Sequence, residues 1–286
     1  MENPNEISPD EGFNRVESVP VLAANPTPDN PPWNAVVAVL AWIASVVLIA
    51  LVPILVLLPY IISRGPSFSE RIALAEFLQK DPTSIILQIG AIIPAHILTL
   101  ALAWAIVTKL NRFSFRETLG WNSGGMGWPH YAGILVIFFG IAMIVGNYFP
   151  EQENELTRIL HSSRWAVYLV AFMATFTAPI VEEVIYRGIL YSAFQRTFGV
   201  AAGIVIVTLL FALVHVPQYY PSFSTIFLLL LLSLILTLVR QRTGNLLPCI
   251  ILHTIFNGMQ SILLILEPYL KSEAPVIEPT TGFFLK

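Results

Sequence analysis

The stretch Ala178-Pro179-Ile180-Val181-Glu182-Glu183-Val184-Ile185-Tyr186-Arg187-Gly188 decides how the chain is read. Residues 165–181 before its charges and 189–198 after them are apolar enough to read as one membrane helix. A charge near the bilayer centre costs about 2.5–3.5 kcal/mol on insertion scales. Glu182, Glu183 and Arg187 therefore need compensating partners, and the rest of the chain is read for helices that supply them.

Composition sets the solvent. Of 286 residues, 56% are hydrophobic and 12% charged, and the mean hydropathy is +0.73. A soluble domain carries about 25% charged residues, so lipid is the expected solvent for most of the exterior. A net charge of −3 without a basic stripe gives no footing for nucleic acid. Cys249 is the only cysteine, which excludes an intramolecular disulfide.

Outward from the charged stretch, apolar runs of spanning length recur at about 35–62, 84–110, 131–149, 165–198, 200–216, 222–239 and 246–266. The expectation is an all-α polytopic membrane protein with about seven transmembrane helices. Prolines 53 and 59 fall in the first run, and Pro217 is expected to stop the fifth. Residues 1–33 are acidic and proline-rich, which predicts a disordered tail. They lack the basic start and short apolar core of a signal peptide. A short surface helix is predicted at 70–77 and an interfacial segment at 111–121, while 150–164 reads as a link and 240–245 as a basic turn. The chain thus divides into a tail at 1–33, N-terminal spans and links at 34–163, a core at 164–267 and a C-terminal tail at 268–286. Lys109, Arg112, Arg116, Arg240 and Arg242 fall on the side of the N-terminus, which leans that side to the cytoplasm.

Polar residues inside the spans share a spacing. Glu183 and Arg187 are four apart, on one helical face, and can pair along it. Glu182 is rotated away and free to face elsewhere. The turn near 198–200 lies about sixteen residues from both Glu182 and His215. At about 1.5 Å per residue, antiparallel neighbours bring both to one depth, roughly 24 Å from the turn. His253 and Asn257 are again four apart, on the seventh span, and need hydrogen-bond partners from another helix. Gly188 leaves room for a close approach. Plainer readings hold elsewhere. His96, His130 and His161 read as structural or solvated, Thr175 and Thr177 as helix-packing polar groups, and Phe211 and Cys249 as packing residues. A Glu–Arg pair alone can be a staple. Together, two glutamates, an arginine, two histidines and an asparagine on spans four, five and seven are the inventory of an acid–base site.

Glu182-Glu183-x-x-x-Arg187, Phe211-x-x-x-His215 and His253-x-x-x-Asn257 together resemble the three motifs of the CAAX-processing and bacteriocin-processing (CPBP) family of intramembrane proteases, which includes the type II CAAX prenyl endopeptidases. The likeness covers about a third of the chain. It implies an endopeptidase of the multi-pass membrane class, in the cell membrane if the source is a prokaryote, whose partners are the bilayer and a membrane-associated or CAAX-like peptide or membrane protein. It implies that Glu182 activates water with help from His215, that His253 and Asn257 stabilise the oxyanion, and that Glu183 and Arg187 support them. Members are also labelled metalloproteases, which implies zinc on Glu182, His215 and His253. No His-Glu-x-x-His or His-x-x-Glu-His run is present, and the metal-free glutamate reading is favoured. From another class, the same cluster fits a transporter or non-proteolytic scaffold that binds ions or a partner.

Overall fold

The computed structural model describes residues 25–272. Of the tails expected at 1–33 and 268–286, the parts 1–24 and 273–286 lie outside them, and 268–272 continue the last helix. Helix α1 (Ala35–Arg64) is capped by Asn34, whose side chain accepts from the Val37 N–H. It is followed by α2 (Arg71–Lys80) and α3 (Pro82–Gly90). Asp81 caps α3 by accepting from Ser84, and Pro82 occupies its first turn, where no N–H is needed. Helix α4 (Ile92–Thr108) continues the same span after a break at Ala91. Pro94, two residues into α4, cannot donate back across that break. Then come α5 (Phe115–Leu119), α6 (Trp128–Tyr148) and α7 (Glu155–Ser162). Helix α8 (Arg164–Phe198) is the long fourth span. It is followed by α9 (Val200–Tyr219), α10 (Phe223–Thr243) and α11 (Leu247–Ser272).

Among the described residues, seven helical segments are long and apolar enough to cross a membrane. They are α1, α3 with α4, α6, α8, α9, α10 and α11, and the only strand-type pairing is the isolated bridge between Thr27 and Asn30. The protein is an all-α, integral multi-pass membrane protein. More of α8 is buried than of any other span, and least of α6. The largest core cluster explains why: Val184, Ile185, Ile189, Leu190 and Tyr191 of α8 pack with residues of α1, α4 and α9. The charged stretch is thus at the centre of the bundle.

Four local expectations are corrected. Residues 25–33 are not loose: Trp33 is buried, and this strap is tied down by the core. Trp33 Nε1 donates to Ile189 O at 3.0 Å, and Arg196 donates to the carbonyls of Pro31 and Trp33. Arg240 is not in a turn but inside α10, fully buried, where it donates to Asp29, Pro28 O and Ser192. A buried guanidinium needs such partners, and the strap supplies most of them. The link 150–164 contains α7, capped by Asn154. Pro217 does not end α9; it removes one donor in the last turn, which Tyr220 closes by donating to Val216 O at 2.9 Å.

Gly188 does allow a close approach, by connections rather than by a neighbouring span. A Cβ there would lie 3.2 Å from Leu119 Cδ2 and 3.5 Å from Leu246 Cδ2. These two leucines, both almost fully buried, close the bundle at that level.

Candidate active site

The geometry begins with a helix that is not regular. Within α8, residues Met173–Thr177 and Val184–Leu190 are wound as π turns on either side of Ala178–Glu183. Ala178 gives its N–H to Met173 O, five residues back. Pro179, next in line, has no N–H to give. Ala174 O is therefore left without a donor inside the helix. Asn257 of α11 fills the gap, donating from Nδ2 at 2.8 Å. Such π turns occur often at functional sites. Here one hands a backbone carbonyl to a residue of the third motif.

The second π turn carries the ion pair. Arg187 Nη1 donates to Glu183 Oε1 at 2.8 Å, and both side chains are 0% exposed. Arg187 Nη2 donates to Ser233 O and Oγ, and Nε to Thr237 Oγ1. Its guanidinium carbon lies 4.7 Å from the centre of the Phe211 ring, within cation–π range. The pairing read from four-residue spacing is thus present, and it also locks α8 to α10. Ser233 and Thr237 were not singled out from the sequence. Their own four-residue spacing in an apolar span was the available signal.

The two histidines are pinned at the same ring atom. His215 Nδ1 donates to Phe211 O at 2.6 Å, because a carbonyl can only accept. His253 Nδ1 donates to Glu183 Oε1 at 2.8 Å. Both rings thus turn Nε2 toward Glu182. His215 Nε2 lies 4.0 Å from Glu182 Oε1, and His253 Nε2 lies 3.8 Å from Glu182 Oε2. The Glu182 side chain is 22% exposed and that of His215 19%, whereas His253 is 3% and Glu183 0% exposed. Glu182 and His215 therefore meet the cavity, and Glu183 stands behind them. Glu182 and His215 are at one depth, as the spacing argument required.

These side chains border a cavity of 1290 Å³, which Asn257 and Tyr186 also line. The cavity reaches from Phe211 and His253 to α7 and the start of α8, where Thr157, Leu160 and Arg164 contribute to it. Of the residues read as structural, Thr175 donates to Ser261 of α11, and Phe211 is buried between Tyr186, His215 and His253. His130 accepts from Gly127 N outside the cavity. His161 lies on the cavity wall. Cys249 is buried as a small core residue.

Zinc tests poorly against this arrangement. Ligand atoms bonded to zinc at about 2.0–2.2 Å stand roughly 3.3 Å apart in a tetrahedral shell. The Glu182 oxygens are 4.0 and 3.8 Å from the two Nε2 atoms and turn different oxygens to each. Among the described residues no group of three or more His, Cys, Asp or Glu is arranged to hold a metal ion.

A multi-pass membrane protein with a buried polar cluster on its central helix, open to an internal cavity, is the class that fold and site define. Residues 164–259 match the family model described as Type II CAAX prenyl endopeptidase Rce1-like. This third of the chain is similar to that family, and all three motifs lie within it. The family is one of membrane proteases, which implies peptide substrates in a membrane. No curated protein and no solved structure matches the chain.

Proposed function

We propose that the protein is an intramembrane endopeptidase in which Glu182 is the general base for water. What carries this reading is the placement of Glu182 between His215 Nε2 and His253 Nε2 at 4.0 and 3.8 Å, at the edge of the cavity. Those gaps exceed a direct hydrogen bond and suit one water shared between the groups. Glu182 takes a proton from that water, whose oxygen attacks the scissile carbonyl carbon. The same proton then passes to the leaving amine as the C–N bond breaks.

His215, with Nδ1–H committed to Phe211 O, turns Nε2 toward Glu182 and orients the water. His253 is held by Glu183 at Nδ1, which leaves Nε2 facing Glu182, and the role assigned to it requires a proton on both ring nitrogens. In that state His253 donates to the developing oxyanion. Asn257 spends one amide hydrogen on Ala174 O and keeps the other for the same oxygen. Donors set in place before reaction stabilise the charge without reorganisation. We assign residues 164–267 as the catalytic core and 34–163 as spans that wall the cavity and support it.

The substrate class that best fits the family is a prenylated peptide of CAAX type. The test is product analysis by mass spectrometry. Purified protein in lipid vesicles is given a farnesylated CAAX peptide, or a single-span membrane peptide, in ¹⁸O-labelled water. Hydrolysis at one bond, with a single ¹⁸O in the new carboxylate, is expected. Absence of cleavage of both peptides overturns the reading.

A further inference from the structure

A histidine from another wall, His96, enters the same cavity. His96 is on α4, 6% exposed, and lines the cavity with Glu182, His215 and His253. Its Nδ1 is 2.9 Å from Thr177 Oγ1. The Thr177 hydroxyl gives its one proton to Met173 O at 3.3 Å, inside the first π turn. With that proton so placed, its oxygen can accept from His96, in the tautomer of the neutral ring that carries its proton on Nδ1. His96 Nε2 is then the lone-pair side. It has no hydrogen-bond partner among the described residues, and it is not sealed in protein. His96, His215 and His253 share one design, each with Nδ1–H spent on a fixed acceptor and Nε2 left for the cavity.

Their walls differ. His215 and His253 come from α9 and α11, whereas His96 comes from α4, which packs on α8 at its first π turn and at Ala178–Glu183. Thr177, which fixes His96, is five residues before Glu182 on the same helix. His96 and Glu182 line the same cavity. An extended peptide drawn into such a cavity exposes backbone N–H groups to apolar walls, and each left unpaired is costly. The wall residues Ile89 and Ile92 offer no acceptor from their side chains.

We propose that His96 is a substrate-binding residue, its Nε2 accepting a backbone N–H of the peptide next to the bond that Glu182 attacks. The assignment rests on the endopeptidase reading above. His96 does not hold the reacting water; it fixes the peptide on the α4 side while His215 and His253 act from the other. Thr177 is a positioning residue, because it selects the tautomer that leaves Nε2 able to accept.

The experiment measures kinetics and affinity together in the full-length protein, with the farnesylated CAAX peptide as probe. His96→Leu should raise KM about tenfold and leave kcat within about twofold, the scale of one neutral hydrogen bond. His96→Gln, which restores an acceptor, should recover most of the loss. Thr177→Val should fall between them, because its ring is free to take the other tautomer. In parallel, peptide binding to Glu182→Gln protein should weaken about tenfold when His96→Leu is added. An unchanged KM and unchanged affinity overturn the inference. So does a loss that follows the folded fraction in thermal scans and is not rescued by His96→Gln. If Glu182→Gln still cleaves, the proposed base falls instead, and the affinity comparison continues to decide the role of His96.

Discussion

His253 donates its Nδ1–H to Glu183 at 2.8 Å, and the same carboxylate oxygen receives Arg187 Nη1 at 2.8 Å. The second glutamate of the pair thus orients a site histidine and neutralises an arginine. Glu183→Gln keeps the shape but removes the charge and can present an N–H to the ring. The kcat should fall between about 10²- and 10⁴-fold, the range seen when a carboxylate that orients a working histidine is lost or turned into an amide. Steady-state rates normalised to folded protein check this.

Arg187 is expected to matter for stability first. Arg187→Met leaves Glu183 charged and enclosed, and breaking a buried pair from one side costs about 3–5 kcal/mol. Adding Glu183→Gln to Arg187→Met removes the stranded charge and should recover more than half of that loss while activity stays low. A double-mutant cycle in denaturant, read by helical signal, measures the coupling.

Asn257 has two tasks that one substitution separates. Asn257→Asp preserves volume, cannot donate when ionised, and sets an acceptor against Ala174 O. Leaving that carbonyl unpaired costs about 1–3 kcal/mol. Loss of an oxyanion donor lowers kcat by about 10²–10³-fold. The expected outcome is both: a lower melting temperature, and a kcat loss that persists below the melting transition.

The strap should prove graded. Trp33→Phe removes the indole N–H to Ile189 O inside the core and should cost about 1–3 kcal/mol. Asp29→Asn should cost less than about 1 kcal/mol, because Asp29 is 66% exposed and its pair with Arg240 is screened. Thermal scans of the two variants should rank them in that order.

Metal removal should leave the enzyme working. With Glu182 oxygens 4.0 and 3.8 Å from the histidine nitrogens, exhaustive chelation is expected to leave the rate unchanged, with elemental analysis showing less than one metal per chain. Loss of activity that zinc restores would return the metal reading.

Much of this site was legible because membrane burial makes polar residues costly and therefore informative. The four-residue spacing of Glu183 and Arg187 gave their ion pair. Equal distance from the turn brought Glu182 and His215 to one depth. What stayed hidden depends on backbone irregularity and tertiary partners. No spacing rule announces that Pro179 and the π turn before it strand Ala174 O, so the bond from Asn257 was out of reach. His96 looked like an ordinary buried histidine because its relation to Glu182 runs through Thr177 on another span. Residues 25–33 have the composition of a loose tail, and only the buried Arg240 and the Trp33 pocket reveal why they are held. Arg240 itself read as part of a turn because two of its partners, Asp29 and Pro28 O, lie more than two hundred residues earlier.

The central claim is that one carboxylate activates water, and Glu182→Gln tests it most directly. The variant keeps the size of the side chain and removes its basicity, in a position that is partly open. Purified in vesicles, it should match the wild type in thermal stability and peptide affinity, while its rate of cleaving the farnesylated CAAX peptide falls by at least about 10³-fold. A folded Glu182→Gln protein that cleaves the same bond at the wild-type rate contradicts the account.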